Sequence, residues 1–284
     1  MITAQKACDF LSGDKLYQQR ARAVLPVLVR QAKATQKIYY GDLAAEVSIP
    51  NPRNLNYPLG SIGNALKSLS KKWAIKIPQI QCIVVNKGSE LPGEGIGWFI
   101  DKKDFKKLTT RQKRERVNHV LSDVFTFNRW DDVLLALGLQ PTQNKSIETI
   151  IRKSTNYGGG GESDFHRKLK DHIVKNPALV GLNGGHYTSE TEYILPSMDT
   201  IDILFKSSKK WVGIEVKSEI SGVEDVLRGL FQCVKYQALI EAYLSVIDER
   251  KDVKVILAIG GNFPTELIST KNLLGIEIID RIRA

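Results

Sequence analysis

Two short stretches, MDTIDILF at residues 198–205 and WVGIEVK at residues 211–217, carry the clearest structural signal in the chain. Both are rich in Ile, Val, Phe and Trp, and the polar KSSKK between them suits the turn of a β-hairpin. Side chains alternate between the two faces of a strand, so Glu215 and Lys217 are predicted to project from one face. Pairing of the strands through the turn brings Asp202 close to both.

The charges of this hairpin need compensation if they are buried. Two carboxylates in one small pocket repel each other, and their burial costs several kcal/mol unless a cation is present. Lys217 supplies one positive charge, and a hard divalent ion such as Mg²⁺ would supply the rest. Metal-activated water attacking a phosphodiester is the chemistry that suits such a site. The alternative is a hairpin whose charged residues form a solvated face of an open antiparallel sheet.

Asp202 followed by Glu215-Val216-Lys217 resembles the signature of the PD-(D/E)XK nuclease superfamily, which has the restriction-endonuclease-like fold. The resemblance implies that Asp202, Glu215 and the Val216 carbonyl are metal ligands and that Lys217 orients or activates the attacking water. It implies Mg²⁺ as the cofactor, with Mn²⁺ as a substitute. It also implies that Glu162, on the first helix, completes the metal site. The alternative for this residue is a favourable charge at a helix N-terminus.

Residues 162–284 are predicted to form the nuclease domain, an α/β structure with a mixed sheet and helices on both faces. The predicted elements are a first helix, strands near 192–195, 198–205 and 211–217, a helix at about 223–247, a strand at 253–259, a helix at 265–274 and a strand at 276–279. On the first helix, Phe165, Leu169 and Ile173 are predicted to form the inward stripe.

The long helix at 223–247 carries three polar residues one turn apart, Arg228, Gln232 and Tyr236, which share a face. The Gln-x-x-x-Tyr pattern after the Glu-x-Lys strand resembles the RecB-like branch of the same superfamily. These residues are candidates for contacting nucleic acid or supporting the site, and a surface stripe is the alternative. The four histidines are interpreted as structural.

Residues 1–141 are predicted to form a mainly helical, winged-helix-like DNA-binding domain with a basic helical extension. The predicted elements are helices at about 21–34, 41–47 and 59–72, then strands at 81–85 and 97–100 that form a hairpin wing. The helix at 59–72 would enter the major groove, with Asn64, Lys67 and Lys71 as candidate contacts. The alternatives are a helical domain that packs against its neighbour and one that binds another protein.

The basic extension covers residues 102–116, and apolar spacing from Val117 onward predicts further helix. Its charge either lines a solvated helix face or binds phosphates. Residues 142–161 are predicted to be a linker ending in the glycine run Gly158–Gly161. Such a run forms a flexible hinge. The alternative of a phosphate-binding loop lacks the Lys and Ser/Thr of a P-loop.

Composition suits a soluble protein with a polyanionic partner. The net charge is +10, with 42% hydrophobic and 25% charged residues. Cys8, Cys82 and Cys233 are scattered, which predicts reduced core thiols in a cytoplasmic protein. The N-terminal residues lack the apolar core of a signal peptide, and no apolar run approaches the length of a membrane span, so no membrane partner is expected.

These patterns predict a Mg²⁺-dependent endonuclease that hydrolyses phosphodiester bonds in DNA, with double-stranded DNA as the expected partner. Restriction, phage defence and repair are the settings in which such an enzyme acts. Double-strand cleavage with one site per chain would call for a homodimer. Two alternatives stay open: a DNA-binding protein whose nuclease fold is structural or regulatory, and a nuclease directed at RNA.

Overall fold

The structure, a computed structural model of the chain, describes residues 10–100, 105–142 and 164–283. The predicted metal ligand Glu162 and the glycine run lie outside these ranges. The chain divides into two compact units, Met1–Asn144 and Lys145–Ala284. Each unit has a hydrophobic core of its own.

The first unit is mainly helical. Its described helices are α1 (Leu16–Lys33), α2 (Tyr40–Glu46), α3 (Asn56–Trp73), α4 (Gly97–Ile100), α5 (Thr110–Thr126) and α6 (Trp130–Ala136). Helices α1 and α3 pack against each other and supply much of the core. Two short strands, β1 (Ile38–Tyr39) and β2 (Val84–Val85), pair in parallel.

The predicted wing hairpin is wrong. Residues 97–100 form helix α4 instead of a strand, and β2 pairs in parallel with β1, which precedes it by two helices. The segment just before β2, Ile80–Ile83, is a 3₁₀ helix. The reason is that short apolar runs fit a buried helix as well as a strand, and tertiary contacts decide. Gly97 packs closely against Phe105, where an added Cβ would lie 3.0 Å from the phenylalanine Cβ.

The second unit contains a five-stranded sheet in the order β3-β4-β5-β6-β7. Strands β3, β4 and β5 pair antiparallel, and β5, β6 and β7 pair in parallel. The strands are β3 (Thr188–Ile194), β4 (Thr200–Lys206), β5 (Lys210–Lys217), β6 (Asp252–Ile259) and β7 (Glu277–Ile279). The predicted mixed α/β architecture of this region is therefore confirmed at the level of fold class.

Helices cover both faces of this sheet. The described helices are α7 (Asp164–Lys175), α8 (Val223–Val246) and α9 (Ile268–Leu274). On one face, Val212, Ile214 and Val216 of β5 belong to the same apolar cluster as Leu169 and Ile173 of α7. The opposite face packs on α8 and α9. Strand β5 is thus central and buried along nearly its whole length.

The cysteines of the described residues are free thiols. Cys82 and Cys233 are buried, as predicted, and Cys8 lies outside the described residues. Burial raises the pKa of both thiols well above the usual range, so neither is a reactive thiolate. Within the described ranges, no helix combines the length and the apolar character needed to cross a bilayer.

Candidate active site

The C-terminal end of β5 carries two charged residues in a buried position. Glu215 and Lys217 are 4% and 9% exposed, and Lys217 Nζ donates to Glu215 Oε1 at 2.9 Å. They project from the same face because they are two residues apart on one strand. That face packs on α8, which closes the pair off from solvent. The sequence places them here because the rest of β5 is apolar and its pairing with β4 and β6 fixes the register.

Asp202 joins this pair from the neighbouring strand. The ladder between β4 and β5 is regular as far as Ile203, which pairs with Ile214. Beyond this pair, the Val216 backbone N–H donates to Asp202 Oδ2 at 2.7 Å. The aspartate side chain thus takes the place of a backbone acceptor and is held at the edge where the two strands separate. The three residues predicted from the sequence to converge are brought together by the structure.

Helix α8 supplies a second layer of polar groups around Lys217. Gln232 Oε1 accepts from Lys217 Nζ at 3.4 Å, and Gln232 Nε2 donates to the Tyr236 hydroxyl at 3.2 Å. Asp225 Oδ1 lies 3.5 Å from the same ammonium. Two of the three predicted α8 residues therefore support the site directly, since they orient the lysine or its partner.

Arg228 lies one step further out. Its Nη1 is 3.9 Å from Asp225 Oδ1, and 41% of its side chain is exposed. It contacts the site through Asp225, a residue that the sequence did not single out. Asp225 lies in the first turn of α8, where a negative charge is favoured by the helix dipole.

A glycine of α8 makes room for the lysine. A Cβ added at Gly229 would lie 3.0 Å from Lys217 Cε and 2.8 Å from Leu257 Cδ1. Nothing in the local sequence singles out this glycine, because its role depends on a contact between two elements. The absence of a side chain here lets the aliphatic stem of Lys217 run under α8.

Burial and neighbouring charges shift the protonation of this group of residues. Burial, together with the charge on Asp202, raises the pKa of Glu215 to about 7, against the opposing effect of Lys217. Burial lowers the pKa of Lys217, but the carboxylates of Glu215 and Asp225 outweigh it and raise the pKa overall. Burial and the charge on Glu215 raise the pKa of Tyr236 to about 12. The lysine is therefore a cation, and the carboxylates carry more negative charge than it neutralises.

His166 of α7, which the sequence analysis interprets as structural, contacts the Val216 carbonyl and the Asp202 carboxylate. Its Nε2 is 3.0 Å from the Val216 carbonyl oxygen and 3.4 Å from Asp202 Oδ2. The predicted inward stripe of α7 placed Phe165 in the interior, but 51% of Phe165 is exposed. Leu169 and Ile173 are buried as predicted, but His166 and Lys170 extend this stripe in place of Phe165. A histidine one turn before Leu169 was the signal that could have indicated this.

The donor set fits Mg²⁺. Among the described residues, no group of three or more His, Cys, Asp or Glu side chains forms a metal cluster. Mg²⁺ does not require one, because it binds through one or two carboxylates and completes its shell with water and phosphate oxygens. Asp202, Glu215 and the Val216 carbonyl offer oxygen donors at one end of β5. Burial, and after it the charge on Asp202, raises the pKa of Glu215, and a divalent cation beside the two carboxylates would favour their charged forms.

The residues predicted to contact DNA lie in the first unit, on α3. Asn64 and Lys71 are exposed, whereas Lys67 is half-buried. Lys67 Nζ donates to the Trp98 carbonyl at 2.8 Å and lies 4.3 Å from the centroid of the Phe99 ring. Lys67 is thus engaged within its own unit, while Asn64 and Lys71 present polar groups at the surface of α3.

No family model matches the chain, and a search of curated proteins gives no significant match. The function must therefore be inferred from the chemistry of the site.

Proposed function

We propose that the second unit is a Mg²⁺-dependent hydrolase of phosphodiester bonds and that its substrate is DNA. One observation carries the proposal: a buried lysine and two carboxylates meet at the end of the central strand, with Asp202 held by a backbone N–H. Burial of three charges is costly. An arrangement with an excess of negative charge suits a site that receives a cation during function.

Asp202 and Glu215, with the Val216 carbonyl, are the groups that would hold the ion. When bound, Mg²⁺ supplies Lewis-acid polarisation of the phosphodiester and a nucleophilic water. The chain contributes fixed geometry. The Val216 N–H orients the Asp202 carboxylate at 2.7 Å, and the strand holds Glu215 beside it.

Lys217 contributes positive charge where negative charge develops on the scissile phosphate. Glu215, Asp225 and Gln232 hold its ammonium from three directions, so little reorganisation is needed during the reaction. Preorganised charge of this kind stabilises a transition state most strongly in a site shielded from water. The raised pKa of Lys217 keeps it protonated at neutral pH, which suits an electrostatic role better than that of a general base.

The choice of DNA rests on charge. The chain has a net charge of +10, and the first unit presents exposed basic residues on α3 and α5. A basic surface attracts a polyanion regardless of its sequence. We propose double-stranded DNA as the substrate, with RNA as the comparison substrate in the experiment. Restriction, phage defence or repair are the settings proposed for such an activity.

A second candidate function is a DNA-binding protein whose second unit is structural. The observation that favours it is that the polar groups satisfy one another: Lys217 contacts Glu215, Asp225 and Gln232, and Gln232 contacts Tyr236. A closed network of this kind can fix a unique core. It would need no metal, and the purified protein would bind DNA without cutting it.

The two candidates separate in one assay. The purified protein is incubated with supercoiled plasmid, linear duplex and a matched RNA, with Mg²⁺ and separately with EDTA. The proposal predicts nicked or linear plasmid products with Mg²⁺ and none with EDTA. Binding of DNA without cleavage products, with Mg²⁺ and with EDTA, would favour the structural candidate. Cleavage of RNA but not of DNA would show that RNA is the substrate.

A further inference from the structure

A cavity in the first unit has the size and lining of a ligand site. Its volume is about 790 Å³, within the range of small-molecule sites. It lies between α3 and the segment that leads into α4, far along the chain from the carboxylates of the second unit. Six side chains matter for its chemistry: Tyr40, Asn64, Lys67, Gln81, Trp98 and Phe99.

Aromatic side chains form much of its wall. Trp98 lines the cavity and is 70% exposed, so most of its indole ring is accessible. Phe99 is held in place by Lys67, whose ammonium lies over the ring and also binds the Trp98 carbonyl. The lysine thus fixes both aromatic residues against α3.

The cavity also contains a buried acceptor that lacks a partner. Gln81 is 4% exposed, and its Oε1 makes no hydrogen bond, although its Nε2 donates to Gln79 Oε1 at 3.0 Å. Leaving a buried carbonyl oxygen unpaired is unfavourable, and such groups are rare in folded proteins. The backbone makes space for this side chain, since a Cβ at Gly63 would lie 2.5 Å from Gln81 Nε2 and 2.4 Å from the Phe99 ring.

Three further polar groups line the same cavity. The Tyr40 hydroxyl accepts from the Gly93 backbone N–H at 3.1 Å and keeps its own proton to donate. Burial raises the pKa of Tyr40, so the hydroxyl stays protonated. Asn64 adds an exposed amide with both donor and acceptor atoms. Glu94 adds an exposed carboxylate to the lining. The lining therefore combines aromatic side chains with a small set of donors, one unpaired acceptor and one acidic residue.

We propose that this cavity binds a nucleobase. A planar heterocycle with an amino or ring N–H group stacks on Trp98 and donates to Gln81 Oε1, while the Tyr40 hydroxyl reaches a ring nitrogen or carbonyl. Stacking on an aromatic residue accepts any base, whereas the amide contact favours a base that presents a donor. The base comes either from a free nucleotide or from DNA, as an unpaired base turned out of the helix.

The inference does not rest on the proposed cleavage activity, and its test uses the full chain in EDTA. In one arm, the four deoxynucleoside monophosphates are titrated and quenching of tryptophan fluorescence is followed. In the other arm, fluorescence anisotropy compares a fully paired duplex with the same duplex carrying one bulged base. Saturable nucleotide binding supports the free source, and at least about tenfold tighter binding of the bulged duplex, ~1.4 kcal/mol, supports the extruded base. If the nucleotides do not bind and the bulged duplex binds no more tightly than the paired one, the proposal is overturned.

Three variants distinguish binding in the cavity from binding elsewhere on the protein surface. Gln81→Leu removes the unpaired acceptor at similar volume, so it should fold and should weaken binding by about tenfold. Trp98→Ala removes the stacking face from an exposed position, where loss of folding is not expected. Tyr57→Ala is the matched control, because Tyr57 is an exposed aromatic residue of α3 that does not line the cavity. Parental affinity in both cavity variants, or equal loss in the control, overturns the proposal.

Discussion

The ammonium of Lys217 lies 2.9 Å from the carboxylate of Glu215 on one face of the central strand, and both residues are buried. A surface ion pair of this length would contribute little to stability. A buried one is different, because removing either partner leaves the other charge without compensation. Changes to Lys217 or Glu215 should therefore alter both the stability of the second unit and the catalytic activity that we propose for it.

Replacing the lysine tests its electrostatic role. Lys217→Met keeps most of the aliphatic stem and removes the charge, so turnover should fall by at least about a hundredfold while Mg²⁺ binding is retained or strengthened. Turnover is measured with a labelled duplex, and metal binding by calorimetry. Lys235→Met is the control, since Lys235 forms an exposed ion pair with Asp199 in the same unit. Near-parental turnover in Lys217→Met would show that the lysine only neutralises the neighbouring carboxylates and does not stabilise the transition state.

The protonation of Glu215 predicts a pH-dependent stability. The folded protein keeps this proton up to about pH 7, whereas an unperturbed glutamate loses it near 4.5. The stability that the protonated Glu215 contributes to the fold is therefore complete below about pH 4.5, and it is lost as the pH rises through about 7. Glu215→Gln has no proton to lose, so its stability relative to the parent should rise by on the order of 3 kcal/mol from about pH 5 to about pH 8.

This stability difference is measured by urea unfolding in EDTA, so that no metal alters the balance. Ala242→Glu, which adds a carboxylate at an exposed position of α8, serves as the control and should show no such trend. A difference between Glu215→Gln and the parent that stays constant across this pH range would contradict the raised pKa.

Gly229 is predicted to position the lysine. Gly229→Ala gains up to about 1 kcal/mol of helix propensity, which offsets the crowding at Leu257 and Lys217. We expect a melting temperature near that of the parent and a turnover lowered by about tenfold or more, because small displacements in an active site are costly. In Gly41→Ala, the matched control on α2, the added Cβ meets no atom within 4 Å, so cleavage should be unchanged. Parental turnover in Gly229→Ala would show that Lys217 tolerates displacement.

The first unit is predicted to bind DNA through phosphate contacts. A fragment ending near Thr142 should bind a duplex with an affinity that falls steeply with salt. The logarithm of the binding constant falls linearly with the logarithm of the salt concentration. Lys71→Gln and Lys72→Gln should each reduce the slope of this line by about one, as loss of a single phosphate contact does. Lys37→Gln is the control, since Lys37 already pairs with Glu90. A folded fragment without DNA affinity at low salt would indicate a protein-interaction domain.

Much of the second unit could be predicted because its signals are local. The long helix was expected at about 223–247 and spans Val223–Val246. Alternation along β5 was enough to place Glu215 and Lys217 on one face, and the short turn brought Asp202 to them. Each of these inferences needs only the geometry of one strand or one hairpin.

The remaining features depend on contacts between distant segments. Residues 97–100 have the apolar composition of a strand, yet they form a helix that packs close to Phe105. Leu169 and Ile173 of α7 are buried as predicted, but His166 rather than Phe165 contacts the strands, and this places the histidine in the site. Periodicity fixes the face of a helix only approximately, and a single long-range contact is enough to change it.

The most direct test of the central claim is DNA cleavage by the parent and by Asp202→Ala and Glu215→Ala, at saturating Mg²⁺ and with DNA binding measured in parallel. Asp199→Ala is the matched control, because this carboxylate lies near the start of β4 and pairs with Lys235 instead of Lys217. We predict Mg²⁺-dependent cleavage by the parent and the control, none by either site variant, and DNA affinity retained in all four proteins. A parent that never cleaves, or a site variant that cleaves as fast as the parent, would contradict the account.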